Sequence, residues 1–170
     1  ATHVVAFALD HDVPSILAGN LLSLMGVMGV MGVLMSGLMS DSYGASRPTI
    51  LCFAIRIGVI GLILWSQSMP FIVLFAMGYG FTFLITAPLT VVFAQNLFGS
   101  TQVQTVTGVI NMVHQIAGGV GAFVGAVMFD NWGGYEEMFV LILGMSIVAL
   151  VATTLVNDRP AADTIIRPTS

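Results

Sequence analysis

Residues 15–40 have the sequence SILAGNLLSLMGVMGVMGVLMSGLMS, and this stretch contains no charged side chain. An α-helix needs about 20 predominantly apolar residues to cross the hydrocarbon core of a bilayer. The stretch is long enough to do so, and its polar side chains are serines and one asparagine. It therefore predicts a membrane-spanning helix.

The composition of the whole chain agrees with this interpretation. Of its 170 residues, 57 % are hydrophobic and 7 % are charged, whereas a soluble domain carries about 25 % charged residues. So few charges cannot cover a water-facing surface, which excludes a soluble enzyme and a disordered chain. With four basic residues, no lysine and a net charge of −4, the chain has no basic patch for nucleic-acid phosphates.

Five segments have the length and composition of a membrane-spanning helix. A shorter apolar piece, residues 2–9, precedes them and is interpreted as the end of an earlier helix. The predicted fold is an all-α polytopic helix bundle over residues 1–157, incomplete at its N-terminus, with a polar tail over 158–170. The five predicted spans are 15–40, 49–65, 71–94, 103–128 and 138–156.

The arginines predict the orientation of the bundle, because basic residues concentrate in cytoplasmic loops. Arg47, Arg159 and Arg167 belong to the loops and tail on one side, and the loops on the other side contain no arginine. We therefore expect a cytoplasmic tail in a bacterial cytoplasmic (inner) membrane. The basic side comprises 41–48, 95–104 and the tail, and the other side comprises 10–14, 67–70 and 129–137.

Small residues predict where the helices touch, because helices in lipid associate through faces that let their backbones approach. In the first span these are Gly26, Gly29, Gly32, Ser36 and Gly37. The fourth span has two such rows at four-residue spacing. They are Ala117, Gly121 and Gly125, and Gly118, Ala122 and Ala126.

Polar side chains inside the spans are candidates for function, because such groups usually face a partner or a cavity. Asn111, His114 and Gln115 share one helix face, and an imidazole could carry a proton. An interhelical hydrogen bond without a role in transport is the alternative. Asn20, near one end of the first span, could face a cavity or serve packing.

The third span places Tyr79 and Thr82 on one stripe, where their hydroxyl groups could line a polar wall. The alternative for Thr82 is a hydrogen bond to a carbonyl of its own helix. Pro88 lies past the middle of this span and predicts a kink, because proline has no N–H for the helix.

Arg56 falls inside the second span, about 13 Å beyond Arg47 at 1.5 Å per residue. It is either a functional residue or a structural hydrogen-bond partner. Cys52 is interpreted as a buried, inert thiol. The sequence contains no phosphate loop, no His-Glu-x-x-His and no cysteine cluster, so we expect no catalytic residue, metal or cofactor.

The loop after the first span resembles a known signature. Residues 37–44 are similar to the Gly-x-x-x-Asp-(Arg/Lys)-x-Gly loop of the major facilitator superfamily, with Gly37, Asp41 and Gly44 at its fixed positions. Residues 114–135 resemble the eleventh helix and following loop of that superfamily. Residues 3–8, with Leu22-Ser23-Leu24 and Ser36-Gly37, are similar to helices seven and eight of its monocarboxylate and oxalate branches.

The resemblance implies that the five spans are helices eight to twelve, the C-terminal half of a twelve-helix transporter, and that residues 2–9 end helix seven. In the superfamily, helices seven, eight, ten and eleven line the cavity and helices nine and twelve are peripheral. Arg56 lies in the second span, which would be helix nine, so the resemblance makes it a weaker candidate for solute binding. The implied solute-binding residues are Asn20, Tyr79, Thr82, Asn111, His114 and Gln115.

These observations predict a fragment of a secondary active transporter that moves a small solute, with an organic anion as one candidate, by alternating access. Its expected partners are the lipid bilayer, the solute and the missing N-terminal half. A non-transporting membrane sensor or scaffold on the same helices is the main alternative. A membrane-embedded enzyme is weaker, since no suitable pair of intramembrane acids or histidines is present.

Overall fold

The computed structural model describes residues 14–133 and 136–156, except for the side chain of Trp132. The predicted helix end at 2–9 and the tail at 158–170 lie outside these residues. Within them the structure is helical and has no strand. Its helices are α1 (Ser15–Tyr43), α2 (Ser46–Trp65), α3 (Met69–Phe83), α4 (Thr86–Phe98), α5 (Val103–Trp132) and α6 (Glu136–Leu155).

Five of the described segments are long and apolar enough to cross a membrane, which confirms the predicted all-α polytopic class. Helices α3 and α4 together form one of them, Met69–Phe98. This segment is interrupted at Leu84 and Ile85. Because Pro88 has no N–H, the carbonyl of Leu84, four residues earlier, lacks its helical partner. The interruption therefore lies where the predicted kink places it.

Three helices continue beyond the predicted ends of the spans at residues 40, 94 and 128. They end instead just before Gly44, Gly99 and Gly133, whose φ angles are 77°, 77° and 72°. Positive φ is accessible to glycine without a steric penalty, and a glycine in this position commonly ends a helix. The predicted ends were therefore short, because these helices end at a glycine rather than at the first polar residue.

Helices α1 and α3 approach each other closely. A Cβ atom added at Gly80 would lie 2.6 Å from the Cα of Met25, and one at Gly32 would overlap the carbonyl oxygen of Phe81. Gly29 also faces this interface, whereas Gly26 and Gly37 face open space. The predicted small-residue face of the first span is thus confirmed for Gly29 and Gly32, and Ser36 on the same helix is buried as well.

Helices α1, α2, α3 and α6 share one apolar core. It includes Ala18 and Met25 of α1, Ile60 of α2, Phe75 of α3 and Phe139 of α6, all of them buried. Phe75 and Phe139 meet edge to face, with ring centroids 5.5 Å apart. This core fixes α3 against α1 and α2, and thereby determines which way the polar side chains of α3 face.

Helix α5 is almost entirely exposed along its length. It contacts α4 and the start of α6. Of its predicted close-contact rows, Gly125 faces Met138, whose sulfur would lie 2.9 Å from an added Cβ atom, whereas Gly118 and Gly121 face open space. For Gly118 and Gly121 the close approach stays a prediction, because small side chains permit such an approach but do not specify the partner.

Two contacts join loops that the sequence places on the same side of the membrane. The hydroxyl of Ser46 donates to the carbonyl of Val156 at 3.4 Å, on the side that carries Arg47. At the other side, Gln67 Nε2 donates to Glu136 Oε1 at 3.1 Å. The spans therefore alternate as predicted, and the assignment of the basic side to the cytoplasm stays a prediction.

Candidate functional site

The residues that the sequence proposes for a site fall into two groups. One group lies on α5 and contains Asn111, His114 and Gln115. The other lies between α2 and α3 and contains Tyr79 and Thr82. No hydrogen bond or ring contact among the described residues joins one group to the other. Asn20 is exposed near the start of α1, apart from both.

The α5 group forms a stripe along one face of the helix. Asn111, His114 and Gln115 are spaced by three and four residues, so their side chains share this face, and all three are exposed. Thr107 lies one turn earlier, and its buried hydroxyl has no partner among the described residues. The sequence interpretation overlooked Thr107, although its four-residue spacing from Asn111 was the available signal.

The opposite face of α5 is apolar and exposed as well. Val113, Ile116 and Val120 have exposed fractions of 57 %, 60 % and 58 %. An amide left without a hydrogen bond in apolar surroundings costs about 1–3 kcal/mol, whereas valine and isoleucine favour contact with lipid. The two faces of α5 therefore require different surroundings, and the polar face requires water or protein.

The second group is centred on Arg56 of α2. Its guanidinium donates from Nη2 to the carbonyl of Thr82 at 2.9 Å, and Nε lies 3.5 Å from the Thr82 hydroxyl. The rings of Phe53 and Tyr79 each lie 5.5 Å from the guanidinium carbon. Cation–π attraction and a charge-assisted hydrogen bond therefore hold this side chain.

Thr82 is fully buried. Its hydroxyl donates to the carbonyl of Tyr79 at 3.0 Å, so the alternative of a bond within its own helix is the one observed. The Cys52 thiol donates to the Thr82 carbonyl at 3.4 Å, in a buried position. The interpretation of Cys52 as a buried thiol is confirmed.

The sequence made Arg56 a weak candidate for solute binding, yet it contacts Tyr79 and Thr82, which were stronger candidates. Tyr79 also stacks on Phe75, with ring centroids 5.2 Å apart. Arg56 lies on the same face of α2 as Cys52 and Val59, which packs against Gly78 of α3. Helical periodicity places Arg56 on this face of α2, but it does not predict which residue of α3 lies opposite.

The three signature residues lie around the first loop. Gly44 is buried, and its N–H donates to the carbonyl of Ser40 at 3.0 Å, which ends α1. Asp41 is exposed in the last turn of α1, and Gly37 faces open space. The chain therefore uses Gly44 for the positive φ that the reversal into α2 requires.

Two other features were considered as sites. A crevice between α1, α2 and α3, lined by Ser36, Cys52 and Phe81, has a volume of about 10 Å³ and mostly apolar walls. It has room for about one water molecule, which is too little for a solute. No cluster of three metal-ligating side chains occurs among residues 14–133 and 136–156.

The helices and their polar groups define a polytopic integral membrane protein. Comparison with known proteins then identifies the family: the chain belongs to the Major Facilitator Superfamily, whose family model matches residues 3–169. The resemblance of the loop signature is confirmed at this level.

A curated relative shows the same kinship at a greater distance. Human monocarboxylate transporter 12 is 25 % identical to the chain over 150 residues, which are 86 % of this chain. The match spans 29 % of the length of that relative. No solved structure matches the chain significantly.

Proposed function

We propose that the chain forms the C-terminal half of a secondary active transporter that moves a small organic anion by alternating access. The observation that carries the proposal is the exposed polar face of α5, with Asn111, His114 and Gln115 on a helix that is otherwise suited to lipid. In secondary transporters the solute binds near the bilayer midplane, between two repeats of the fold. A polar face open to that midplane is what such a site needs.

The partner that covers this face is an N-terminal half of the same transporter. Gly118 continues the polar stripe of α5 toward its C-terminal end and faces open space, so a further helix can approach there closely. The match covers less than a third of the length of the human relative. Rocking of the two halves about the solute would open the site to each side in turn.

The solute class is inferred from chemistry and from the name of the relative. The human protein is named a monocarboxylate transporter, and a carboxylate would accept hydrogen bonds from the amides of Asn111 and Gln115. A protonated His114 would supply a positive charge to the anion and a proton to the transport cycle. Asn20 and Tyr79 are proposed to contribute from α1 and α3, whereas the fully buried Thr82 would act only through its hydrogen bonds to Tyr79 and Arg56.

The proposed location follows from the arginines. The tail and the loops that carry Arg47 would face the cytoplasm, in a bacterial cytoplasmic membrane. A tag on the tail that is accessible only after permeabilisation agrees with this assignment.

Uptake by the complete transporter tests the proposed function. In proteoliposomes with an inward proton gradient, we expect labelled small monocarboxylates to accumulate at least tenfold above protein-free vesicles. Neutral and cationic solutes of similar size are expected to show no such accumulation, because neither would pair with a protonated His114. Absence of flux for every solute class would favour a sensor or scaffold and would contradict the proposal.

A further inference from the structure

Arg56 carries a charge into the middle of the membrane without a visible acid to neutralise it. It lies halfway along α2, Ser46–Trp65. The carboxylates within the described part of the chain lie near the ends of the spans, and none of them pairs with Arg56: they are Asp41, Asp130, Glu136 and Glu137. A charged side chain at this depth is costly and is usually held by a specific partner.

The partner of Arg56 is the end of a half-helix. Thr82, whose carbonyl accepts the 2.9 Å hydrogen bond, is the penultimate residue of α3, which ends at Phe83 before the interruption. The last carbonyls of a helix lack internal donors and carry the negative end of the helix dipole. A cation placed there is favourable, and more so in surroundings of low dielectric constant.

The interruption is held from the opposite side as well. Gly32 of α1 faces the carbonyl of Phe81 and the side chain of Ile85, and Gly29 faces Leu84. The segment 80–85 therefore lies between a glycine face of α1 and the guanidinium of α2. Helix α1 packs closely against this segment, and Arg56 of α2 provides a positive charge beside it.

We propose that Arg56 is a positioning residue that caps the C-terminal end of α3 and stabilises the interrupted form of the third span. Its second role is to orient Tyr79, whose ring covers the guanidinium, and Thr82. In discontinuous helices of transporters, freed carbonyls and half-helix ends often bind the coupling cation. Here a fixed side chain occupies that position, so the interruption requires no bound metal ion.

The proposal deepens the proposed function, and its first test does not depend on transport. In the complete transporter in detergent, Arg56→Leu is expected to speed hydrogen exchange of the amides at 80–90 at least tenfold. Arg56→Lys, which keeps the charge and loses the planar fork, is expected to recover part of this protection. Ala54→Leu, on the exposed side of α2, serves as the control and is expected to leave exchange unchanged.

A double-mutant cycle with Pro88 separates capping from ordinary packing. Pro88→Ala restores the N–H that the interrupted helix lacks. The third span can then continue as one helix, and the carbonyls at the end of α3 no longer need Arg56 as a donor. We expect Arg56→Leu to change exchange at 80–90 less than threefold in the Pro88→Ala background. Effects of the two substitutions that simply multiply would show independent roles and would overturn the proposal.

The transport measurement distinguishes this proposal from the proposed function. If Arg56→Leu lowers uptake tenfold without changing exchange at 80–90, Arg56 acts on the solute and the positioning role is overturned. If exchange and the cycle behave as expected while the unsubstituted protein moves no solute, the proposed function fails and the positioning role stands. Similar exchange for Arg56→Leu and the Ala54→Leu control would also contradict the positioning role.

Discussion

Replacing Gly32 by alanine is expected to destabilise the bundle by about 3 kcal/mol, the upper end of the usual range for overpacking a well-packed interior. The added Cβ would overlap the carbonyl oxygen of Phe81, and it would also lie 3.1 Å from the side chain of Ile85. A backbone oxygen cannot turn away as a flexible side chain can. Helices α1 and α3 must therefore separate, which weakens the contact that positions Tyr79 and Thr82.

The measurement is thermal unfolding of the complete transporter in detergent, with uptake as a second readout. Gly26→Ala on the same helix is the matched control, because nothing lies within 4 Å of its added Cβ. Both substitutions increase helix propensity to the same extent, so their difference isolates the contact with α3. Equal midpoints for the two variants would show that this contact is not tight in the assembled protein.

Replacing His114 by alanine is expected to abolish the dependence of uptake on a proton gradient. In the proposed cycle, His114 binds the proton that accompanies the anion, and the protonated imidazole also provides the charge that the anion requires. Without it, accumulation driven by the gradient is expected to fall at least tenfold.

Uptake measured over a range of pH on both variants tests this expectation. Val113→Ala is the control, since Val113 neighbours His114 in sequence and lies on the apolar face of α5. An unchanged pH profile in the His114→Ala variant would remove His114 from proton coupling. It would leave the interhelical hydrogen bond as the role of this residue.

The spans and the interruption of the third span could be predicted from sequence because both depend on local chemistry. Long apolar segments are stable in lipid, and a proline such as Pro88 removes a backbone hydrogen bond at any interior position of a helix. The helix ends were harder to predict, because the helices end at Gly44, Gly99 and Gly133, whose positive φ angles are not marked by a change in polarity. Helices accordingly extend into segments that their polarity marks as loops.

The partner of Arg56 could not be predicted, because helical spacing identifies a face and not what lies opposite. Thr82 is 26 residues away in the chain, and the rotation of α3 that brings it there depends on the contact between Gly80 and Met25. The partner of the small-residue rows on α5 could not be predicted for the same reason. Gly118 and Gly121 mark a face that can be approached closely, and within residues 14–133 and 136–156 no helix approaches it.

Thiol accessibility along α5 tests the central claim most directly, namely that its polar face lines a water-filled path for the solute. Single cysteines at positions 113 and 114 (Val113→Cys and His114→Cys) would be compared in a cysteine-free complete transporter that includes Cys52→Ser. We predict that a membrane-impermeant thiol reagent modifies the cysteine at 114 at least tenfold faster than the one at 113. Equal and slow modification at both positions would contradict the account.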